Sequence, residues 1–403
     1  MPDSTDQAIP DAPAEPAPTV AGLFAGIGGL ELGLHRAGFN TAALCEIWEP
    51  AREVLTAHFP GIPISEDVRT LPHLPAVDVV TAGFPCTDLS QAGRTAGIHG
   101  AQSGLVNQLF RLLADTEPRW VVIENIRNML VLDQGQAMTY LIGQLEQLGY
   151  QWAYRLVDSR FTGVPQRRQR VIMVASKQAD PRGVLFADDA KEPAEDWFAD
   201  DVFGFYWTEG LRGLGWARDA LPTLKGGSTI GIPSPPALWV RDAPIGRAIV
   251  TPGIRAGELL QGFPEGWTLP AAAHGRRNGT RWKLIGNAVT VGVAEWLGGR
   301  LLEPGTFDLN RSMALPPGHP RWPLAAWGKQ GERWQVEISM WPLRRPYQHL
   351  LDVVDLDEAT PLSRRASEGF FSRMEQSSLR FDDGFRIAMK EHVRAMQAQP
   401  PGL

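Results

Sequence analysis

Short runs of aliphatic and β-branched residues alternate along the chain with stretches whose apolar positions recur at helical spacing, the order expected of an α/β sheet. Thr19 to Phe24 reads as a buried strand running into Ala25-Gly26-Ile27-Gly28-Gly29, after which Leu30, Leu32, Leu34 and Ala37 mark a helix. Strand, glycine turn and helix make the first unit of a doubly wound sheet. A second strand, Thr41 to Cys45, ends at Glu46 and is followed by a helix through Val54, and Asp67 stands before Val68 at a further expected strand end. Val77-Asp78-Val79-Val80 is a buried strand broken by Gly83-Phe84-Pro85. Leu105 to Leu113 is an amphipathic helix, Trp120 to Ile123 a strand ending in Glu124-Asn125, Leu141 to Leu148 a helix, and Tyr154 to Val157 and Val171 to Val174 are strands. Further on, alternation over Trp334 to Trp341 reads as a strand, and helices are expected around Ser363 to Ser372 and Phe385 to Met396.

Composition narrows the class. A chain of 403 residues with ordinary apolar and charged fractions has room for two domains with cores. Cys45 and Cys86 are its two cysteines, with no CxxC pair and no Cys/His cluster at zinc spacing, so no metal site and a reducing compartment are expected. Residues 1–19 read as a disordered tail without a basic start and apolar core, and no run approaches the ~20 apolar residues of a membrane span, so a cytoplasmic protein is expected. The formal net charge of −6 does not favour nucleic acid, but Arg167, Arg168 and Arg170 form one local basic cluster and Arg276, Arg277, Arg281 and Lys283 another. The acidic stretch from Asp188 to Asp201 is expected to be a solvated loop held away from any phosphate.

The candidate chemistry gathers at strand ends. A glycine turn lets a ligand approach the backbone at a helix N-terminus, whether a dinucleotide or another cofactor. Glu46 is placed to grip a ribose or to charge a helix start; Asp67 is within reach of an adenine edge or caps a turn; Cys45 is a small core residue. Cys86, on a stiff turn at a strand end, is either a nucleophile or a buried structural cysteine. The segment from Gly93 to Gly104, long and without apolar periodicity, reads as a mobile lid beside it. Glu124 arrives at the same sheet edge as Cys86. Alternation puts Arg168 and Arg170 on one face and Arg167 on the other, although a basic run at a strand start by itself is a solvated face.

Assembled in order, these residues resemble the DNA cytosine-5 methyltransferase family. The likeness spans Val20 to Arg300 and rests on Phe24-Ala25-Gly26-Ile27-Gly28-Gly29, Glu46, Asp67, Gly83-Phe84-Pro85-Cys86, Glu124-Asn125-Ile126, Gln166-Arg167-Arg168-Gln169-Arg170, Glu258 to Pro264, and Gly286-Asn287-Ala288-Val289. The resemblance implies a doubly wound, Rossmann-like α/β domain dependent on S-adenosylmethionine, a smaller target-recognition domain and a C-terminal extension. The catalytic domain would be 20–176 plus 283–303, the recognition domain 177–282, and the extension 304–403. It implies that Cys86 adds to cytosine, that Glu124 holds the base, and that Arg168 and Arg170 steady developing charge. S-adenosylmethionine would sit on Phe24, Ala25, Gly26, Ile27, Gly28 and Gly29, with Glu46, Ile47, Asp67, Val68, Asn287 and Ala288 completing its pocket and Trp48 as an alternative to Ile47 on the adenine. Double-stranded DNA would be contacted by Ser90, Arg94 and Gln166, with the target base flipped out.

Thr87 departs from the glutamine often found beside the family's cysteine, which bears on how the gap left by a flipped base is filled. The expected setting is protection of host DNA in restriction or phage defence, by a monomer. Two other readings stand beside it: a tRNA cytosine-5 methyltransferase of similar fold, and a catalytically inert DNA-binding regulator. In the extension, Trp322, Trp327, Trp334 and Trp341 serve buried packing or base stacking, and the segment docks on the catalytic domain, touches DNA or binds a defence-system partner protein. No recognition code for a DNA sequence is legible in 177–282.

Overall fold

The computed structural model describes residues 16–85, 104–211, 213–226, 235–274, 278–316 and 321–398. Cys86, Thr87, Ser90, Arg94, the expected lid up to Ser103, and Arg276 and Arg277 lie outside the described residues.

The first half of the chain builds a central sheet from β1 (Thr19–Leu23), β2 (Asn40–Cys45), β3 (Ile64–Ser65), β4 (Val79–Ala82), β5 (Trp120–Ile126), β6 (Gln151–Asp158) and β8 (Gln169–Ser176), with the short β7 (Gln166–Arg167) beside it. Later strands are β9 (Val202–Phe205), β10 (Ala217–Arg218), β11 (Leu221–Pro222), β12 (Ala237–Val240), β13 (Ile249–Thr251), β14 (Ser312–Ala314), β15 (Ala325–Lys329), β16 (Glu332–Val336) and β17 (Thr360–Pro361). The central sheet runs β14-β16-β15-β6-β8-β5-β4-β1-β2-β3. The strands from β5 to β3 are mutually parallel, and those from β8 outward are antiparallel. Strand order reverses at β1, which has β2 on one side and β4 on the other, so a crevice opens at the carboxyl ends there.

Both faces of this sheet are covered, which explains its unbroken apolar runs. Ala21, Leu23, Val121, Ile123, Val171 and Met173 join one core with Leu109 and Leu113 of α3 (Leu105–Thr116) and Leu141 and Leu145 of α4 (Gln136–Gln147). Their alternating neighbours Val20, Trp120, Val122, Ile172 and Val174 join a second core with Leu34 of α1 (Gly29–Arg36) and with Val293, Trp296 and Leu297 of α7 (Val291–Leu302). The second helix, α2 (Glu49–His58), follows β2, while α5 (Ile254–Leu260) and α6 (Gly279–Asn287) precede α7. No helix among the described residues is long and apolar enough to cross a membrane.

A second, antiparallel sheet of order β10-β9-β12-β13-β17 sits over the crevice side of α5 and α6, with Leu221, Leu224, Leu238 and Val250 packed among Leu260, Trp282 and Ile285. Its other face carries Phe203, Phe205 and Trp239 against Phe370 and Met374 of α8 (Arg364–Glu375) and Phe385 and Met389 of α9 (Asp383–Ala398). The C-terminal extension is thus woven into both units: β14, β15 and β16 lengthen the central sheet beside β6, and β17, α8 and α9 complete the second. Its tryptophans pack rather than project: Trp341 is fully buried, and Trp322 donates to the Gly135 carbonyl at 3.0 Å.

One expectation holds only in part. Glu192, Glu195, Asp196, Asp200 and Asp201 are exposed, as in a solvated loop, but the stretch also binds arginines: Asp188 pairs with Arg300 at 2.7 Å, Asp189 with Arg311 at 2.6 Å, and Glu192 with Arg160 at 3.0 Å. Its charges neutralise cations brought from elsewhere in the sequence, a partnership that no local pattern reveals.

The return of α7 to α1 is made possible by missing side chains. A Cβ on Gly33 would lie 2.4 Å from the Cβ of Ala294 and 2.5 Å from the Val291 carbonyl oxygen, and one on Gly298 2.5 Å from the Cβ of Ala37. Gly33→Val should therefore lower stability by roughly 1–3 kcal/mol through overpacking, read as a lower urea midpoint, whereas Gly143→Ala, in α4 with open space around it, should not.

Candidate active site

The strand register builds the site. Leu23 is paired with Cys45, Leu23 with Ala82, and Ala82 with Ile123, so the residues one step further along, Glu46, Phe24, Gly83 and Glu124, stand side by side at the carboxyl edge. Gly83 sits between its neighbours: a Cβ there would be 3.7 Å from Glu124 Oε2 and 3.9 Å from the Phe24 carbonyl. Phe84 follows, buried and edge-on to Phe24, and its carbonyl accepts from Asn125 Nδ2 at 3.1 Å. Asn125 therefore fixes the backbone at Phe84, just before Pro85.

Phe24 and Gly26 both take left-handed backbone angles, with φ of 56° each. That conformation is costly for phenylalanine and marks a turn held by its surroundings. Glu46 holds it, since its Oε2 accepts from Gly26 N at 2.8 Å while Oε1 accepts from Trp48 N at 2.8 Å. A carboxylate has further lone pairs, so Glu46 can still accept from a hydroxyl on a bound ligand. A Cβ at Gly26 would meet nothing within 4 Å, leaving the backbone open to an approaching group. Cys45 lies behind the turn, its thiol pushed up to about 12 by burial and by the charges of Glu46 and Asp67, which makes it an inert core residue.

Glu124 is buried and paired with Arg170 Nε at 2.8 Å. β5 and β8 align Ile126 with Arg170 and Glu124 with Ile172, so the pair is a diagonal one on a single sheet face. Burial depresses the Arg170 guanidinium and Glu124 offsets part of that, so each partner helps the other to stay there.

These side chains open on one cavity of about 1220 Å³, lined by Phe24, Gly26, Glu46, Ile47, Asp67, Val68, Glu124, Arg170 and Asn287, and closed on its far side by Tyr206, Thr223 and Lys225 from the second unit. Lys225 lies 3.8 Å from the Tyr206 ring centre and pairs with Glu209 at 2.7 Å. Lys283 lies 4.6 Å from the Trp48 ring centre. Arg167 also lines the cavity, with no ion-pair partner among the described residues. Sequence reading assigned no site role to Lys225, Lys283 or Asn125; the signals for them were the basic cluster that holds Lys283 and the place of Asn125 beside Glu124, and for Lys225 there was no motif.

A family model described as C-5 cytosine-specific DNA methylase matches residues 19–197. The Type II methyltransferase M2.BsuMI of Bacillus subtilis (strain 168) is 44% identical over 394 residues, covering 94% of this chain and 99% of the relative. The chain belongs to the C-5 cytosine-specific DNA methylases. It is a DNA (cytosine-5) methyltransferase. The Type II methyltransferase M.BanI of Aneurinibacillus aneurinilyticus is 34% identical over 169 residues, 40% of this chain and 39% of that one. Among solved structures, the S. pombe Dnmt2 methyltransferase shares the fold, with a TM-score of 0.50 at 17% identity, covering 72% of this chain and all of that one.

Not every expected site residue of this methylase reaches the cavity. Gly28 and Gly29 are packing glycines, a Cβ on the first falling 2.5 Å from the Phe59 ring and on the second 2.7 Å from the Val289 carbonyl. Ile27 is buried with its carbonyl on Trp267 Nε1 at 2.9 Å, and Ala25 and Ala288 serve the turn and the end of α6 without lining the cavity. Asp67 does line it, yet also forms the turn of the alternative reading: it accepts from Arg69 N at 2.9 Å, and Arg69 holds its carboxyl below the usual range. Gln166, expected on DNA, is fully buried, donating to the Leu260 carbonyl at 2.8 Å and accepting from Leu224 N at 3.0 Å. The basic run is likewise no solvated face. Arg168 is fully buried, with Nη1 on the Leu224 carbonyl at 2.8 Å and Nη2 on the Gly286 and Ala288 carbonyls at 3.2 and 2.6 Å. It braces the site and does not touch it.

Two measurements follow. Arg168→Lys, which cannot span three carbonyls with a planar fork, should cost roughly 3 kcal/mol of stability by leaving a poorly solvated buried charge, and should weaken cofactor and DNA binding together in titrations. Glu31, under the glycine turn, is buried with Oε1 accepting from Thr81 Oγ1 at 2.9 Å, and burial raises its carboxyl to about 7. Its raised folded value means that its contribution to stability is full below about pH 4.5, falls as pH rises, and is gone above about 7. Relative to the wild type, Glu31→Gln should therefore gain melting temperature across that window and hold the gain at higher pH, whereas a flat difference would show that Glu31 does not titrate there.

Proposed function

We propose that the methylase flips a cytosine out of duplex DNA, adds the Cys86 thiolate to carbon 6 of the base, and methylates carbon 5 at the expense of S-adenosylmethionine, protecting host DNA in a restriction or phage-defence system. The observation that carries this reading is the row of Phe24, Gly83 and Glu124 at adjacent strand ends, with the Glu124–Arg170 pair in the cavity and Cys86 three residues beyond Gly83 in sequence.

Carbon 5 of an aromatic cytosine is a poor nucleophile. Thiolate addition at carbon 6 breaks the ring's 5,6 double bond and makes carbon 5 enamine-like. Glu124 presents Oε2 on the Gly83 side while Arg170 holds Oε1, so it can bind the exocyclic amine and ring nitrogen as that electron density develops. Arg170 stands next to the carbonyl oxygen of such a base and offsets its charge. Loss of the carbon 5 proton and departure of the thiolate then restore aromaticity. S-adenosylmethionine supplies the electrophilic methyl group; Phe24, Gly26, Glu46, Ile47, Asp67, Val68 and Asn287 would hold it, and the left-handed turn with open space at Gly26 suits that task. A base must leave the stack to reach side chains as buried as Glu124 and Arg170, at about a few kcal/mol. Arg167, Lys225 and Lys283 give the rim the charge a phosphate backbone requires. The catalytic module is 20–176 with 283–303, and the unit built on 177–282 reads the bases.

With S-adenosylmethionine and unmethylated duplex, the purified protein should form 5-methylcytosine, and a 5-fluorocytosine duplex should trap a covalent complex that survives denaturing gels. Cys86→Ala should lose both, and Glu124→Gln should lower kcat by roughly 10²–10⁴. Methyl transfer by Cys86→Ala at the normal rate, or methylation of tRNA with DNA untouched, would overturn the assignment.

A further inference from the structure

Away from the active site, β12, the turn after it, and α9 enclose a groove of about 470 Å³ lined by Trp239, Asp242, Ile245, Ile387, Glu391 and His392 among others. Its shape follows from helical spacing. Gly384, Ala388 and His392 recur every four residues on the inner face of α9, and the two small ones leave a hollow above Trp239. Ile387 and Glu391 lie one turn apart on the adjoining face, and across the groove the hairpin turn holds Asp242 and Ile245. Ile245 and Ile387 are 66% and 59% exposed, among the most exposed large aliphatic side chains of the described residues.

Three polar groups of this groove are acceptors with no donor among the described residues. His392 is 1% exposed, and its Nε2 faces the Leu362 carbonyl at 2.8 Å. A carbonyl only accepts, so Nε2 carries the proton, and burial keeps the ring neutral. Nδ1 is therefore a bare lone pair, buried and without a partner. Asp242 and Glu391 line the groove without an ion-pair partner among the described residues. The groove's one cation is already committed: Arg241 lies over Phe203 and Trp239, and pairs with Asp200 at 2.5 Å and with Asp382 at 3.9 Å. A phosphate backbone would be repelled here.

We infer that this groove is a docking site for a protein partner that inserts an arginine side chain between the β12–β13 turn and α9, flanked by apolar residues seated on Ile245 and Ile387. A guanidinium offers five donors on an apolar stem, which matches acceptors spread over two elements above an aromatic floor. Burying a long amphipathic side chain between exposed aliphatic groups is how hot-spot contacts at protein interfaces are built.

The probe is the capped tripeptide Leu-Arg-Leu, titrated into full-length protein carrying ¹³C-labelled isoleucine methyl groups, with Ile245→Val and Ile387→Val identifying the two resonances. Saturable shifts confined to Ile245, Ile387 and their neighbours are expected. The same peptide with citrulline or glutamate in place of arginine should bind at least about tenfold more weakly, and Glu391→Gln, exposed on α9 and outside 177–282, should weaken the arginine peptide several-fold without altering methyl transfer. Equal binding of the citrulline peptide, no saturable shift at either isoleucine, or displacement of these resonances by duplex DNA instead would overturn the assignment.

Discussion

The pairing register of four parallel strands is the constraint on which the active site depends. Cys45, Leu23, Ala82 and Ile123 lie in one row, and each of the next residues shapes the candidate site: Glu46 ties the glycine turn, Phe24 makes it, Gly83 leaves room, and Glu124 presents a carboxylate. A slip of one residue in any of these strands would turn its side chains to the opposite face and dissolve the row. The site is accordingly backed by full cores on both faces of the sheet, where Val20 and Ala21 or Val122 and Ile123 point to opposite layers and lock the register.

A second constraint joins this edge to the remainder of the chain. A guanidinium without water must be solvated by protein, and Arg168 recruits carbonyls from the loop leaving the second unit and from the end of α6. The contact is close: a Cβ at Gly286 would lie 2.2 Å from the Lys225 carbonyl carbon, and one at Gly226 2.0 Å from Asn287 Oδ1. Beside it, Gln261 donates to the Ile285 carbonyl at 2.9 Å and accepts from Thr290 at 2.7 Å, while Glu258 bridges Gly266, Thr268 and Arg281. The motif from Glu258 to Pro264 therefore acts as scaffolding that holds Asn287 against the cavity.

The C-terminal stretch belongs to the same logic. Sheets leave edges, and β14, β15 and β16 cover the flank of β6 while β17 and α8 with α9 cover the aromatic face of the second sheet. Phe203 and Trp239 would otherwise expose large apolar surfaces on the unit proposed to read DNA. Asp188 and Asp189, which open the acidic segment, lie against arginines of β6, α7 and the C-terminal stretch, so the charge of these two is offset internally.

Much of this was legible in the residues alone. Strand ends, glycine turns and period-two alternation are local properties, so the α/β class, the order of the first strands, the carboxylate beside the cysteine turn and the two terminal helices could be read directly from Thr19 onward. The row of four functional positions could not, because register is a relation between strands far apart in sequence. The same holds for Gln166, Arg168 and Asp188, whose polarity suggested solvent or ligand and whose partners turned out to be carbonyls and arginines drawn from up to 120 residues away. A side chain's chemistry is written in the sequence; whether that chemistry faces a substrate or another part of the protein is decided by burial, and burial exists only once the chain has packed.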